Sequence, residues 1–218
     1  MWLALRRGNT ELLDDAERYV RARLLPFQIT EEQARDDQGV VDRRFWGAWG
    51  ASRFPQGCPM AYTDVTAAVL HTLCDVYQHI AVRDATGLTV CFHLDYEDDH
   101  VRIVSARTHD AKLTVVPKQR KNVLIRIPRW TPLDSVQVTA YGQPIPLTMI
   151  GDFAYVPRSG WSEPPEIVVR YDLPVGTTVD MINGTEYCYR WRGDDILGVS
   201  PNTDLRPVYP SRDSGETP

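Results

Sequence analysis

The chain has 218 residues, 43% of them hydrophobic and 24% charged, with a formal net charge of −5. This is the composition of a globular chain with ample apolar surface to bury, and the length allows one large domain or two small ones. An acidic chain whose densest basic block is "PKQRKN" carries no electrostatic footprint for nucleic acid or an anionic membrane.

The opening "MWLALRRGNT" places Arg6 and Arg7 after too short an apolar run, so it does not read as a signal peptide. No apolar run approaches the roughly 18 residues that a membrane span needs. Four cysteines (Cys58, Cys74, Cys91 and Cys188) lack C-x-x-C spacing. They predict free thiols in a reducing compartment, and hence a cytoplasmic protein.

Residues 1–83 read as helical. In "NTELLDDAERYVRARLLP", Asn9 or Thr10 caps a helix with Glu11, Asp14 and Asp15 in its first turns. Arg21 and Arg23 precede the stop at Pro26, so charge complements the helix dipole at both ends. Leu12, Ala16, Tyr19, Val20 and Leu24 supply its helical-period apolar stripe.

A loop over residues 42–62 follows, rich in aromatics and glycine around one thiol, "FWGAWGASRFPQGCPMAY". Cys58 precedes the next helix, whose positive end would favour thiolate; that suits a nucleophile or a zinc ligand. It equally suits a small residue filling the underside of the loop. Trp46 and Trp49, with Phe45, would make a stacking platform for sugar rings or a hydrophobic plug.

The second helix, "TDVTAAVLHTLCDVYQHIAV", has two apolar stripes. Val65, Val69, Leu73, Val76 and Ile80 form one; Ala67, Leu70, Cys74 and Tyr77 form the other. Only Asp64, His71, Asp75, Gln78 and His79 remain as a polar wedge. Such a helix belongs among other helices, yet the chain offers one other clear helix. Helical neighbours are missing.

From residue 84 the period becomes two. "LTVCFHLDY", "VRIV", "KLTVV", "NVLIRIP", "VQVTAY", "FAYVP", "EIVVRYDLP", "TEYCYRW" and "ILGVS" are separated by Pro, Gly, Asp and Asn. The spacing predicts an antiparallel β-sandwich over 84–200. Residues 201–218 lack periodicity and read as a flexible tail. The fold class expected is mainly β, with a short α-helical segment in front.

Other chemistry-bearing residues read as structural. "DYEDDH" (residues 95–100) falls between two strands, as a solvated hairpin turn rather than a Ca²⁺ loop. Cys74, Cys91 and Cys188 read as core, and Trp130, Trp161 and Trp191 as core or rim. His71, His79 and His93 are lone histidines with hydrogen-bonding roles, and Asn183-Gly184 is a hairpin turn.

The order of "AERYVRARLLPFQ", "QGCPMAYTDVTAAVLHTLCDVYQHI" and "GLTVCFHLDY" resembles the end of the catalytic domain in glycoside hydrolase family 127, the β-L-arabinofuranosidase-like enzymes. "NVLIRIPRW", "GDFAYVPRSGW", "EIVVRYDLP" and "YRWRGDDILGVSP" are similar to the sandwich that follows there. The resemblance implies that residues 1–83 are the last helices of an (α/α)6 toroid. It implies a cysteine nucleophile on Zn²⁺, and Cys58 is the residue that matches by position. The second cysteine of the family's pair is Pro59 here, and the upstream Glu-x-Cys would fall before Met1. On that likeness Cys58 is the catalytic candidate, Trp46 and Trp49 the sugar-binding ones, and zinc the cofactor of an intact relative. No metal is expected to be held by this chain alone, and the chain alone is expected to be inactive. The rival expectation is a non-catalytic carbohydrate-binding or structural sandwich. The partner expected is carbohydrate, with self-association or a partner chain on the exposed helical face.

Overall fold

The computed structural model describes residues 2–32, 34–35, 38–51, 60–61, 63–159 and 161–201. In chain order, α1 (Trp2–Arg7) and α2 (Glu11–Tyr19) come first. α2 continues through a π turn, Val20–Leu24, and a 3-10 turn, Leu25–Phe27. β1 (Gly50–Ala51) and β2 (Met60–Ala61) pair antiparallel ahead of α3 (Thr63–Gln78). Then come β3 (Ala81–Arg83), β4 (Leu88–Val90), β5 (Tyr96–Glu97), β6 (Val101–Arg107) and β7 (Asp110–Pro117). β8 (Val123–Arg126), β9 (Gln137–Ala140), β10 (Gln143–Ile145), β11 (Met149–Ile150), β12 (Phe153–Val156) and β13 (Ile167–Asp172) follow. β14 (Val175–Ile182), β15 (Thr185–Arg192) and β16 (Asp195–Ser200) come last. The chain is mainly β.

Two compact units divide it, residues 1–17 with 75–174 and residues 18–74 with 175–218. The boundary falls inside both α2 and α3.

The first unit holds the sandwich. One sheet runs β10-β9-β13-β7-β6-β5 and the other β11-β12-β8-β4-β3. Pairing is antiparallel except between β4 and β8, which run parallel. The period-two pattern decides which face is inside. On β7, Ala111, Leu113, Val115 and Pro117 are buried, and across the ladder Leu113 meets Val169 while Val115 meets Ile103 and Ile167. On the other sheet Val90 and Ile125 are register partners, both with no measurable exposure. A one-residue slip would turn these rows out to water, so burial fixes the register. The acidic turn is as the sequence predicts: the Asp98 carboxylate accepts from the His100 and Val101 amides at 2.7 and 2.9 Å, between β5 and β6.

In the second unit, the π turn supplies Ala22 to a small core with Ile196 and Val199, walled by Phe27, Tyr187, Tyr189 and Trp191. Arg21 stands 3.8 Å from the buried Asp194 carboxylate. β14, β15 and β16 form their own three-stranded sheet, with Asn183 and Gly184 turning at φ 51° and 78° between the first two. Those positive angles make the two-residue turn that Asn-Gly favours.

One helical expectation differs from the structure, the buried face of α2. The buried residues of α2 are Leu13 and Glu17, with Val20 buried at the start of the π turn, while Tyr19 is 68% exposed. The α-helix stops at Tyr19, but tighter and wider turns carry the chain past Pro26. Proline sits in the first turn of the 3-10 piece, where its missing N–H loses no bond. On α3 neither apolar stripe is fully covered: Val76 and the following Ile80 are buried, but Val65 of the same stripe is 40% exposed, and Leu70 and Tyr77 of the other are half exposed. Cys74 is exposed with them. Among the described residues, no helix is long and apolar enough to cross a membrane.

Candidate functional site

The candidate loop lies in the second unit, and its described part is built by hydrogen bonds before any side chain is considered. The Ile29 amide donates to Ala48 O and the Gly47 amide to Ile29 O, both at 2.9 Å. Gly47 takes φ +79°, which lets the backbone turn back on itself. The Gln28 side chain donates to Gly47 O at 3.1 Å. The Asp42 carboxylate holds the entry, bonded to the Arg44 amide and guanidinium, and the Arg44 hydrogen bonds keep that carboxyl below its ordinary range.

The two tryptophans take different places. Trp49 is buried; its indole N–H donates to Leu24 O at 2.6 Å, and Thr66 Oγ1 bonds both its amide and its carbonyl. It anchors the loop. Trp46 is 53% exposed on the same loop. Cys58 lies outside the described residues. Among the described residues, no three His, Cys, Asp or Glu side chains come together to hold a metal. Zinc takes about four ligands, and Cys58 alone would supply one.

Of the remaining thiols, Cys91 is buried and Cys74 exposed. Burial pushes the Cys91 thiol up to about 12, against the pull of the Arg126 charge. Thiolate is the reactive form, so a thiol reagent should modify Cys74 in the native protein and Cys91 only after unfolding. Peptide mapping that found Cys91 labelled under native conditions would overturn this.

Sequence reading missed a buried polar cluster in the first unit. Arg126 and Glu17 are each 1% exposed at the side chain, and Asp14 is 11% exposed. The Arg126 guanidinium pairs with both carboxylates, and its Nε donates to Cys91 O at 2.6 Å. Glu17 also accepts from the His93 amide, at 3.2 and 3.3 Å. His93 Nε2 lies 2.7 Å from Arg126 O. A carbonyl only accepts, so that nitrogen carries the hydrogen, and Nδ1 faces the Tyr171 hydroxyl. The signals were an arginine inside "NVLIRIP" and a glutamate one turn after Leu13, since neither type is buried unless paired.

A glycosidase uses two carboxyl groups flanking the scissile bond. Asp14 and Glu17 are instead turned onto one guanidinium. A pocket in the first unit, lined by Arg83, Leu88, His100, Pro117, Gln119 and Lys121, holds about 10 Å³. That is room for one water, not for a sugar ring.

No family model and no curated protein matches the sequence. Solved structures do match. A glycoside hydrolase is 17% identical with a TM-score of 0.50, the match covering 87% of this chain and 34% of that one. The likeness is one of fold. A GH127 beta-L-arabinofuranosidase from Geobacillus stearothermophilus T6 gives 17% identity and a TM-score of 0.46, over 75% of this chain and 30% of that one. A GH127 beta-arabinofuranosidase gives 14% and 0.49, over 89% and 34%. The chain thus spans about a third of the length of the proteins it resembles.

Proposed function

We propose that this chain is the C-terminal part of a glycoside-hydrolase-like protein of the β-L-arabinofuranosidase type, and that it does not hydrolyse glycosides by itself. The observation carrying this is the fold likeness to a solved glycoside hydrolase over 87% of the chain, which accounts for only 34% of that protein. The half-covered α3 supports it, since a helix with two apolar stripes is suited to packing among further helices. In an intact protein Cys58 would act as nucleophile or zinc ligand, and Trp46 would face the sugar with Trp49 holding the loop. Free thiols at Cys74 and Cys91 support a reducing, cytoplasmic location.

A second reading, a carbohydrate-binding module without turnover, is favoured by the exposed Trp46 indole. One pair of assays separates the two. Arabinose-containing oligosaccharides are titrated against tryptophan fluorescence, and release from an aryl arabinofuranoside is followed in parallel. Binding without release is expected, and Trp46→Ala should weaken it about tenfold, equivalent to about 1.4 kcal/mol. Turnover by this chain would overturn the proposed inactivity. Saturable binding untouched by Trp46→Ala would remove the role given to that residue.

A further inference from the structure

Two tight hairpin turns of this chain share one backbone conformation and differ in their first residue. Between β14 and β15 the two-residue loop is Asn183-Gly184, at φ 51° and 78°. Between β9 and β10, in the first unit, it is Tyr141-Gly142, at φ 51° and 72°. A two-residue loop with both φ angles positive favours Asn, Asp or Gly at its first position, since a short or absent side chain tolerates the left-handed region. A bulky tyrosine there is an outlier. Such strain persists only where the surroundings impose it, and it gathers at functional sites.

The surroundings of Tyr141 are specific. Its amide donates to Glu166 O at 3.0 Å and its hydroxyl to Glu163 O. Its ring packs at 5.3 Å and 52° on that of Trp161, whose indole N–H donates to Pro157 O at 2.9 Å. Each side-chain polar atom of the pair is committed to a backbone carbonyl, so both rings are fixed in direction. Tyr141 is nevertheless 45% exposed. Strain that served only to fill a core would end in a buried ring. Here it ends in an oriented aromatic ring left open to solvent. Gln143, Ser162 and Glu163 are exposed, each within two residues of one ring or the other.

We propose that Tyr141 and Trp161 form a binding site for a neutral saccharide, stacked by its C–H face on the Tyr141 ring. The face of an aromatic ring is the negative part of its quadrupole, which attracts the slightly positive C–H groups of a sugar. A ring already held in place also loses little freedom on binding. Gln143 and Ser162 would meet the hydroxyls at the edge of the sugar, and Glu163, the one charge of the three, disfavours an acidic one. The rival ligand is a proline-rich peptide. Its extended backbone has no internal hydrogen bonds, so its carbonyls need donors. Both donors of the aromatic pair are already committed, to Glu163 O and Pro157 O. A sugar hydroxyl brings its own. The choice of saccharide rests on the carbohydrate-binding reading above, whereas the strained and pinned pair does not.

Titration of the full chain with arabino- and xylo-oligosaccharides, followed on the tryptophan indole N–H resonances, tests this. The Trp161 resonance, assigned by its loss in Trp161→Phe, should shift saturably. Tyr141→Asn gives this turn the residue that the β14–β15 turn already uses. It should leave the urea midpoint at least as high as the parent's and weaken the Trp161 response at least tenfold. A response absent for both sugars, one that survives Tyr141→Asn, or one that follows oligoproline instead of sugar would overturn the proposal. So would a lower urea midpoint in Tyr141→Asn, which would assign the tyrosine to the fold alone. The Trp46 resonance reports the loop separately. A shift there without one at Trp161 defeats this site and leaves the loop's role intact, and the reverse result does the opposite.

Discussion

Arg126→Met is expected to lower the stability of the first unit by about 3–5 kcal/mol, the usual cost of breaking a buried ion pair from one side. The reason lies in what remains. Glu17 keeps its contact with the His93 amide but loses the Arg126 charge while 1% exposed. Asp14 loses the same guanidinium, and Cys91 O loses its donor. The effect should appear as a lower urea midpoint with the slope unchanged. Adding Glu17→Gln should restore part of the loss, because it removes the stranded charge. A variant as stable as the parent would mean that water reaches the cluster.

Asp14 gives the same experiment a pH signature. Burial raises its carboxyl above the ordinary carboxylate range, although the Arg126 charge and the Arg129 amide both act to lower it. A group raised in the folded state adds stability below its unfolded value, and that contribution is lost as pH rises through the folded value. Removing Arg126 takes away the principal lowering influence, so the loss should extend to higher pH in the variant. Melting followed from acid towards neutrality checks the sign: the gap between parent and variant should widen as pH rises.

The alternating strands of the sandwich were legible because the physics is local. Each inward residue of "KLTVV" or "EIVVRY" is decided by a period of two against one core. What that period does not encode is which sheet a strand joins. β15 and β16, read from "TEYCYRW" and "ILGVS", look like further sandwich strands, and β14 (VGTTVDMI) gives no alternating signal, yet contacts group all three with residues 18–74 rather than with the strands before them. The Arg126 cluster was hidden for a related reason. Asp14 on α2 reads as a first-turn acid complementing a dipole and Glu17 carries no sequence signal beyond its type, and their partner lies more than a hundred positions away. Sequence marks the cost of burying Arg126 inside "LIRI" but not the residue that offsets it. Trp46 and Trp49 show the same limit at the loop. They are three positions apart in one aromatic run, and only the bond from the Trp49 indole to Leu24 O separates the anchor from the exposed ring.

Gly87→Ala is expected to cost about 2–4 kcal/mol, combining overpacking with a backbone conformation that side chains avoid. A Cβ at this position would lie 2.3 Å from Asn122 O and 3.0 Å from Asn122 C, at φ +156°. Neither atom can swing aside. Asn122 O accepts from the Leu88 amide at 2.9 Å, the bond that brings β4 alongside β8. The Asn122 side chain is held as well, donating to Thr86 O at 3.1 Å and accepting from the Arg158 amide at 2.9 Å. On the other side, Asp84 accepts from the amides of Thr86 and Gly87, fixing the turn against that carbonyl. A methyl group must therefore push the start of β4 away from β8, and β4 to β8 is the parallel contact at the centre of its sheet. Gly176→Ala is the control. Nothing lies within 4 Å of its added Cβ and its φ is not in the strained range, so stability should change by less than about 0.5 kcal/mol. If Gly87→Ala unfolds at the same urea concentration as Gly176→Ala, then β4 is not locked to β8 through Asn122 and the close approach has slack.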